Sequence, residues 1–475
     1  MVCLSELFFD RLASYPGDPV IEDEDEWLTA GQLLALARDH AAELQAIPVA
    51  PGEPVLLACS NRARDIAGFL AIWASGAVAV PVHRNAAEAT LTRLRNITRA
   101  RVTLNLSPER STLLPDNQVS IQGDPPPCRP MLGEAAVVVF TSGSTGHPKG
   151  VVIGHDRLAA KLTAIDQELR FDSQTKTFLV LQLTFIFGQW VSFLTLLNGG
   201  RLIMRDRFRP SVVLDDLNNH EITRFAAVPT MLRALLAEQE GRPAIGGEIL
   251  SGGEVLSTTV ECDIRRFWPE AKLWDLYGST EMSACDFIVR PDDFPRATGT
   301  IGRPMAGIDY RLDPKSQELE IRSPYGMLGY LDQPNLTAKA IRGDWFRTGD
   351  QAEERRDGLV TLTGRLNDLI NRGGNKIFPS EIERMTEACP GVRSAIAAGV
   401  PDASKGEAIH LLVVPSDSAQ ISKNVVHAWL AERLERFKRP DQIHIDDKLP
   451  VGDTGKADRR VFRDMIQAGR ATADE

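Results

Sequence analysis

Up to about residue 300 the chain alternates short apolar runs with segments of helical period, and this alternation constrains the fold most. Residues 78–80, 137–140, 151–153, 177–181, 201–203, 225–228, 248–250 and 273–276 read as buried strands, and helical stretches separate most of them. Thr29-Ala30-Gly31-Gln32 reads as a capping box, with Leu33, Leu34, Leu36 and Ala37 as the apolar face behind it. Residues 71–74 end a helix before Gly76. Such a pattern predicts an α/β fold of layered, largely parallel sheets, whose ligands sit beyond the carboxyl ends of the strands. With 475 residues the chain is too long for a single core. The expected division is a large domain, 1–363, and a small α+β domain, 364–475. Within the large domain, 301–363 is rich in Gly, Pro and Asp and reads as a small β-subdomain. In the small domain, helices are expected near 380–387 and 421–434, and strands near 394–400 and 409–414.

Composition narrows the function. Hydrophobic content of 43% and charged content of 25% suit an ordinary soluble globular protein. A net charge of −10 argues against a nucleic-acid partner. The acidic run Glu22-Asp23-Glu24-Asp25-Glu26 reads as a solvated hairpin tip. None of the six cysteines forms C-x-x-C, and no histidines are spaced as H-E-x-x-H, so neither a zinc site nor a redox pair is indicated. Scattered thiols point to a reducing, cytoplasmic setting. Glu6 and Asp10 interrupt the N-terminal apolar stretch, which argues against a signal peptide. Residues 177–200 carry no charge, yet Gln182, Thr184, Gly188, Gln189 and Ser192 are spread along them. A buried strand followed by a buried helix is expected there, with no membrane span.

The chemistry is concentrated in a few loops. Thr141-Ser142-Gly143-Ser144-Thr145-Gly146-His147-Pro148-Lys149-Gly150 follows a strand and holds three glycines, four hydroxyls and one lysine. Glycine lets backbone N–H groups turn inward, hydroxyls donate, and the lysine adds a mobile charge, so the loop is suited to phosphate. It is neither a Walker A loop nor a dinucleotide fingerprint. Gly252-Gly253-Glu254 follows another strand, where paired glycines let a flat ring lie on the backbone. Asp275-Leu276-Tyr277-Gly278-Ser279-Thr280-Glu281 offers a stacking face, a hydroxyl and a carboxylate of the kind magnesium takes beside phosphate. Asp350, after Gly349, can accept from two ribose hydroxyls, and Arg365 can reach ribose or phosphate. Lys456 lies on the glycine-containing segment Leu449-Pro450-Val451-Gly452-Asp453-Thr454-Gly455-Lys456. Read singly, most of these are ordinary loop residues.

Taken in order, they resemble the motifs of the adenylate-forming superfamily, which includes acyl-CoA synthetases, peptide-synthetase adenylation domains and luciferases. The resemblance covers nearly the whole chain. It implies that Thr141, Ser142, Gly143, Ser144, Thr145, Gly146 and Lys149 bind the outer phosphates of ATP. It places adenine against Gly252, Gly253, Glu254 and Tyr277, with Asp275 and Gly278 in the same nucleotide-binding motif. Thr280 would touch the α-phosphate and Glu281 would bind Mg²⁺. Asp350 and Arg365 would hold the ribose, and Lys456 would be the catalytic lysine of acyl-adenylate formation. Gly374 would line the tunnel for a thiol, either CoA or the phosphopantetheine arm of an acyl carrier protein. The small domain is implied to be mobile, swinging about a hinge at Asn367, where relatives usually carry Asp or Lys.

The resemblance also bears on the acid. Phe185 stands where many relatives have His, and Gln182 where many have Pro. Amino-acid-activating relatives place an Asp after this aromatic, whereas Ile186 stands here. A buried ammonium without a partner is costly, so an α-amino acid is disfavoured. Phe185, Val228, Gly278 and Met282 imply an apolar pocket for an aliphatic or aryl acid. The segment 377–383 resembles the form found in CoA ligases. The expected activity is therefore ATP-dependent acid–thiol ligation by way of acyl-AMP, with CoA as first choice of thiol. Carrier-protein loading is the alternative, and an inactive nucleotide-binding homologue is the alternative of another class. Retention of Glu281 and Lys456 speaks against the last.

Overall fold

The computed structural model describes residues 3–23, 26–47, 49–106, 118–121, 126–127, 129–141, 148–238, 245–402, 404–416, 421–452 and 457–469. By its internal contacts the chain forms two compact units. The first holds Met1–Leu256, Cys262–Asp309 and Ile321–Phe346; the second holds Ser257–Glu261, Tyr310–Glu320 and Arg347–Glu475.

The first unit is built on two sheets. One has nine strands, in the spatial order Arg303–Pro304, Phe287–Val289, Lys272–Tyr277, Glu248–Gly252, Arg224–Ala227, Lys176–Leu179, Arg201–Met204, Pro19–Asp23, Glu26–Thr29. From Lys272–Tyr277 to Pro19–Asp23 all neighbours are parallel, and the outer strands are antiparallel. The other has seven strands, in the order Gly329–Tyr330, Lys149–Gly154, Ala135–Thr141, Val78–His83, Pro54–Cys59, Val102–Asn105, Gln118–Ile121. Each sequence-expected strand is present. The central strand Pro54–Cys59 is buried throughout, and Val78–His83 is buried up to its last residue, as a sheet covered on both faces requires.

The helices follow from local signals. Thr29 Oγ1 accepts from the Gln32 amide (3.3 Å), and Gln32 Oε1 accepts from the Thr29 amide (2.7 Å), which completes the capping box of helix Ala30–Ala46. Helix Ala63–Ala74 ends before Gly76, whose φ is 73°. The uncharged segment divides as expected into strand Lys176–Leu179 and helix Ile186–Leu197. Among the described residues, no helix is long and apolar enough to cross a membrane. Phe8, Phe69, Trp73 and Phe193 pack together with ring centroids 5.4–6.2 Å apart.

The acidic run corrects one expectation. Pro19–Asp23 and Glu26–Thr29 do pair antiparallel, but the first carboxylate of the run is buried and the second is paired. Glu22 is only 3% exposed and accepts from Arg205 Nη2 at 3.1 Å. Asp23 accepts from Arg62 Nη1 at 2.9 Å and from the Ala63 amide at 3.0 Å. Opposite charges arriving from distant segments draw inward what a local charge count reads as surface.

The second unit carries a sheet ordered Asn375–Ile377, Ile370–Arg372, Gly406–Pro415, Val392–Asp402, with Gln442–Ile445 beside Gly406–Pro415. Helices Pro379–Glu387, Lys423–Ala431 and Arg459–Gln467 accompany it. Ile382, Ala397, Leu411, Val413, Val426 and Leu430 form its core. The helix expected over 421–434 begins only at Lys423, because Ser422 caps it by accepting from the Val425 amide.

Candidate active site

In the first unit most of the sequence-predicted residues fall at or beyond carboxyl ends of strands. Thr141 ends strand Ala135–Thr141 and lies opposite Lys149, which opens strand Lys149–Gly154. Ser142, Gly143, Ser144, Thr145 and Gly146 lie outside the described residues. In the parallel sheet, four neighbouring strands end at Leu179, Ala227, Gly252 and Tyr277. Immediately beyond three of them come Val228, Gly253-Glu254 and Gly278, and Phe185 follows Leu179 by six residues, so adenine-side and acyl-side candidates share one edge.

Each position has a local reason. Gly253 has a φ of 82°, in the left-handed region. A Cβ on Gly252 would lie 3.2 Å from the Phe187 ring, which stacks on Trp190 at 5.4 Å. Glu254 Oε2 accepts from the Thr230 amide (3.2 Å) and hydroxyl (2.7 Å), tying this loop to the start of helix Pro229–Ala237. Asp275 lies within its strand, in register with Ser251 and Val289. The Tyr277 ring meets Phe287 edge-on at 6.0 Å. Phe185 caps helix Ile186–Leu197 and is 38% exposed, whereas Met282 is buried, its methyl against Gly326.

Thr280 and Glu281 sit on a single 3-10 turn, Thr280–Met282. Ser283, Ala284 and Cys285 follow with φ of 61°, 70° and 40°, three consecutive non-glycine residues on the left-handed side. Such conformations persist only where the surroundings over-determine them. Here the Ala284 amide donates to Ser279 O at 2.8 Å, and Ser283 Oγ donates to Tyr325 O at 2.8 Å. The Met327 amide donates to Glu281 O at 2.7 Å. Helix His155–Leu169 braces the same region with two side chains one turn apart. Arg157 Nη1 donates to Gly326 O (2.6 Å) and Met327 O (2.7 Å), and Lys161 Nζ donates to Asp286 Oδ1 (2.8 Å). Lys161 and Asp286 are both fully buried. Burial pushes the Asp286 carboxyl up to about 6, against the opposing pull of Lys161.

Gly278 closes the turn: a Cβ there would lie 2.3 Å from the Cys285 amide nitrogen. Backbone cannot give way as a side-chain tip can. Gly278→Ala is therefore expected to lower stability by about 1–3 kcal/mol, as overpacking does. It should also weaken nucleotide binding. Urea unfolding and calorimetry with ATP measure the two, and an unchanged midpoint with unchanged affinity would contradict this account.

The second unit holds the ribose candidates. Asp350 is 4% exposed and accepts from Arg365 Nε at 2.8 Å, the two lying opposite each other on paired strands. Gly349 has a φ of 76°, and its amide donates to Glu318 Oε1 at 3.1 Å. Asn367 lies in the short turn Leu366–Asp368, and Gly373 and Gly374 (φ 54° and 84°) form the turn before strand Asn375–Ile377. Lys456 lies outside the described residues. Three residues on, Arg459 is fixed by Glu383 (2.6 Å) and Asp368 (2.7 Å). The five cysteines among the described residues are free, and Cys128 lies outside them.

Tyr330 is the residue that sequence reasoning missed. Its hydroxyl donates to Glu281 Oε1 at 2.8 Å, and Lys149 Nζ lies 5.5 Å from its ring centroid. The Gly329-Tyr330 pair inside a Gly-rich stretch was the available signal, but the partners are 49 and 181 positions away.

The model of the AMP-binding enzyme family matches residues 8–331, and that of the AMP-binding enzyme C-terminal domain matches 381–456. A feruloyl-CoA synthase from Amycolatopsis sp is 29% identical over 455 residues, covering 90% of this chain and 92% of that protein. A 2-succinylbenzoate–CoA ligase from Staphylococcus aureus is 31% identical over 338 residues, covering 70% of this chain and 68% of that one. The solved o-succinylbenzoate-CoA synthetase from Bacillus subtilis, in complex with its acyl-adenylate intermediate, superposes with a TM-score of 0.84. It is 24% identical, covering 96% and 97% of the two chains, and shares the fold. The chain belongs to the family of AMP-binding enzymes, within the adenylate-forming superfamily. It is an enzyme of the AMP-forming, acyl-CoA synthetase type.

Proposed function

We propose that the protein joins an aliphatic or aryl carboxylic acid to CoA, through an acyl-adenylate made from ATP. The observation that carries this reading is the grouping of Lys149, Tyr330 and Glu281 beside the strand ends that hold Thr141, Gly252 and Tyr277. The relatives named for feruloyl-CoA and 2-succinylbenzoate–CoA synthesis support an acid with an aromatic body. The apolar character of Phe185, Val228 and Met282 agrees with one.

The donor set fits magnesium. Among the described residues no group of three or more His, Cys, Asp or Glu could hold a metal, and magnesium bound with ATP needs only one or two carboxylates plus phosphate oxygens. Glu281 is the carboxylate in place. When bound, the ion offsets negative charge on the phosphates.

In the reaction, Thr141 to Gly146 and Lys149 hold the β- and γ-phosphates, while Gly252, Gly253, Glu254 and Tyr277 take adenine. Asp350 and Arg365 take the ribose hydroxyls. The substrate carboxylate oxygen attacks the α-phosphorus, and the bond to pyrophosphate breaks. Thr280 and Lys456 stabilise the charge that develops on the α-phosphoryl oxygens. The CoA thiol, entering past Gly374, then attacks the acyl carbonyl and AMP leaves.

The test is a pyrophosphate-release screen over carboxylic acids, followed by transfer of the labelled acyl group to CoA or to a holo carrier protein. Release with aryl or aliphatic acids, and transfer to free CoA, is expected. Transfer to the carrier protein alone would replace CoA as the acceptor. Silence with every acid would mean a nucleotide-binding protein without ligase activity.

A further inference from the structure

A carboxylate that binds a metal through one oxygen is positioned by whatever holds the other. Glu281 Oε1 accepts the Tyr330 hydroxyl at 2.8 Å. Tyr330 is itself fixed. It is 3% exposed, lies in strand register with Val151, and its amide donates to Thr337 Oγ1 at 2.9 Å. Lys149, one end of the phosphate-binding segment, lies over the face of the same ring. One aromatic side chain thus meets the metal candidate with its hydroxyl and the phosphate candidate with its face.

We infer that Tyr330 is a positioning residue for magnesium: it orients Glu281 so that the free carboxylate oxygen meets the ion carried by ATP. This rests on the reading of Glu281 as the metal ligand. Partners of this kind behind a metal ligand are worth about 10–100-fold in metal affinity.

The test uses the full chain and α,β-methylene ATP, an analogue that cannot adenylate an acid because its α–β bridge is carbon and does not break. Its affinity is measured by calorimetry with Mg²⁺ and with excess chelator, for the parent protein, Tyr330→Phe and Glu281→Gln. Phenylalanine keeps the ring and its contact with Lys149, so binding without Mg²⁺ should be unchanged. The Mg²⁺-dependent gain in affinity should fall about tenfold in Tyr330→Phe and vanish in Glu281→Gln. If Glu281→Gln loses the gain and Tyr330→Phe keeps it, the tyrosine merely ties two strands and the inference is overturned. If Glu281→Gln keeps the gain, the metal reading itself fails. Equal weakening of Tyr330→Phe with and without Mg²⁺ would show a general structural role and would also overturn it.

Discussion

Replacing Lys456 by alanine is expected to slow acyl-adenylate formation by about 10²–10³-fold, the usual cost of losing one donor aimed at developing charge. ATP should still bind nearly as in the parent, because the outer phosphates and adenine are held elsewhere. The step brings two anions together, and a compact ammonium is most valuable where their charge accumulates. Thioester formation from supplied acyl-adenylate should be spared, since its new charge appears on the acyl carbonyl. Pyrophosphate exchange, ATP calorimetry and a thiolysis assay separate the three. Parallel loss of binding and exchange would make Lys456 structural and sink its assigned role.

The largest effect on stability is expected at Lys161. Its ammonium and the Asp286 carboxylate face each other in a fully buried pair. Lys161→Met leaves a carboxylate without its counter-charge, which should cost about 3–5 kcal/mol. The double variant Lys161→Met with Asp286→Leu should recover most of that loss, because two apolar groups need no partner. The pH dependence has a definite sign. Asp286 titrates higher in the folded chain, at about 6, than the 3.8 of the free group. The folded state therefore binds more protons in this window, and its stability falls as pH rises through it. Without Lys161 the folded value moves higher still, so the single variant should lose more stability at pH 8 than at pH 5. Urea midpoints at the two pH values check this, and a loss that shrinks at high pH would contradict it.

Much of this architecture could be read in the chain itself. The strands over 137–140 and 225–228 announced themselves by continuous apolar runs, because strands covered on both faces have no polar side. Their loops carried chemistry at the expected ends. Pairings between distant segments were invisible. Lys161 looks like a surface residue of an amphipathic helix until Asp286, 125 positions later, is brought beneath it. Its place on the stripe of Leu158, Leu162 and Ile165 was the faint sign. Glu22 was misread for the same reason, its partner Arg205 being 183 positions away. Tyr330 needed strand Gly329–Tyr330 to dock on Lys149–Gly154 before its hydroxyl could find Glu281.

The antiparallel pairing of Thr141 with Lys149 works as a ruler. Val138 and Val152 face each other across that ladder and are buried, so the two strands cannot slide by one residue without driving each close-packed side chain into the opposite layer. The span allotted to the hydroxyl-rich connection is thereby set from outside it. The lysine that closes the ladder therefore keeps its station whatever the length of chain inserted before it.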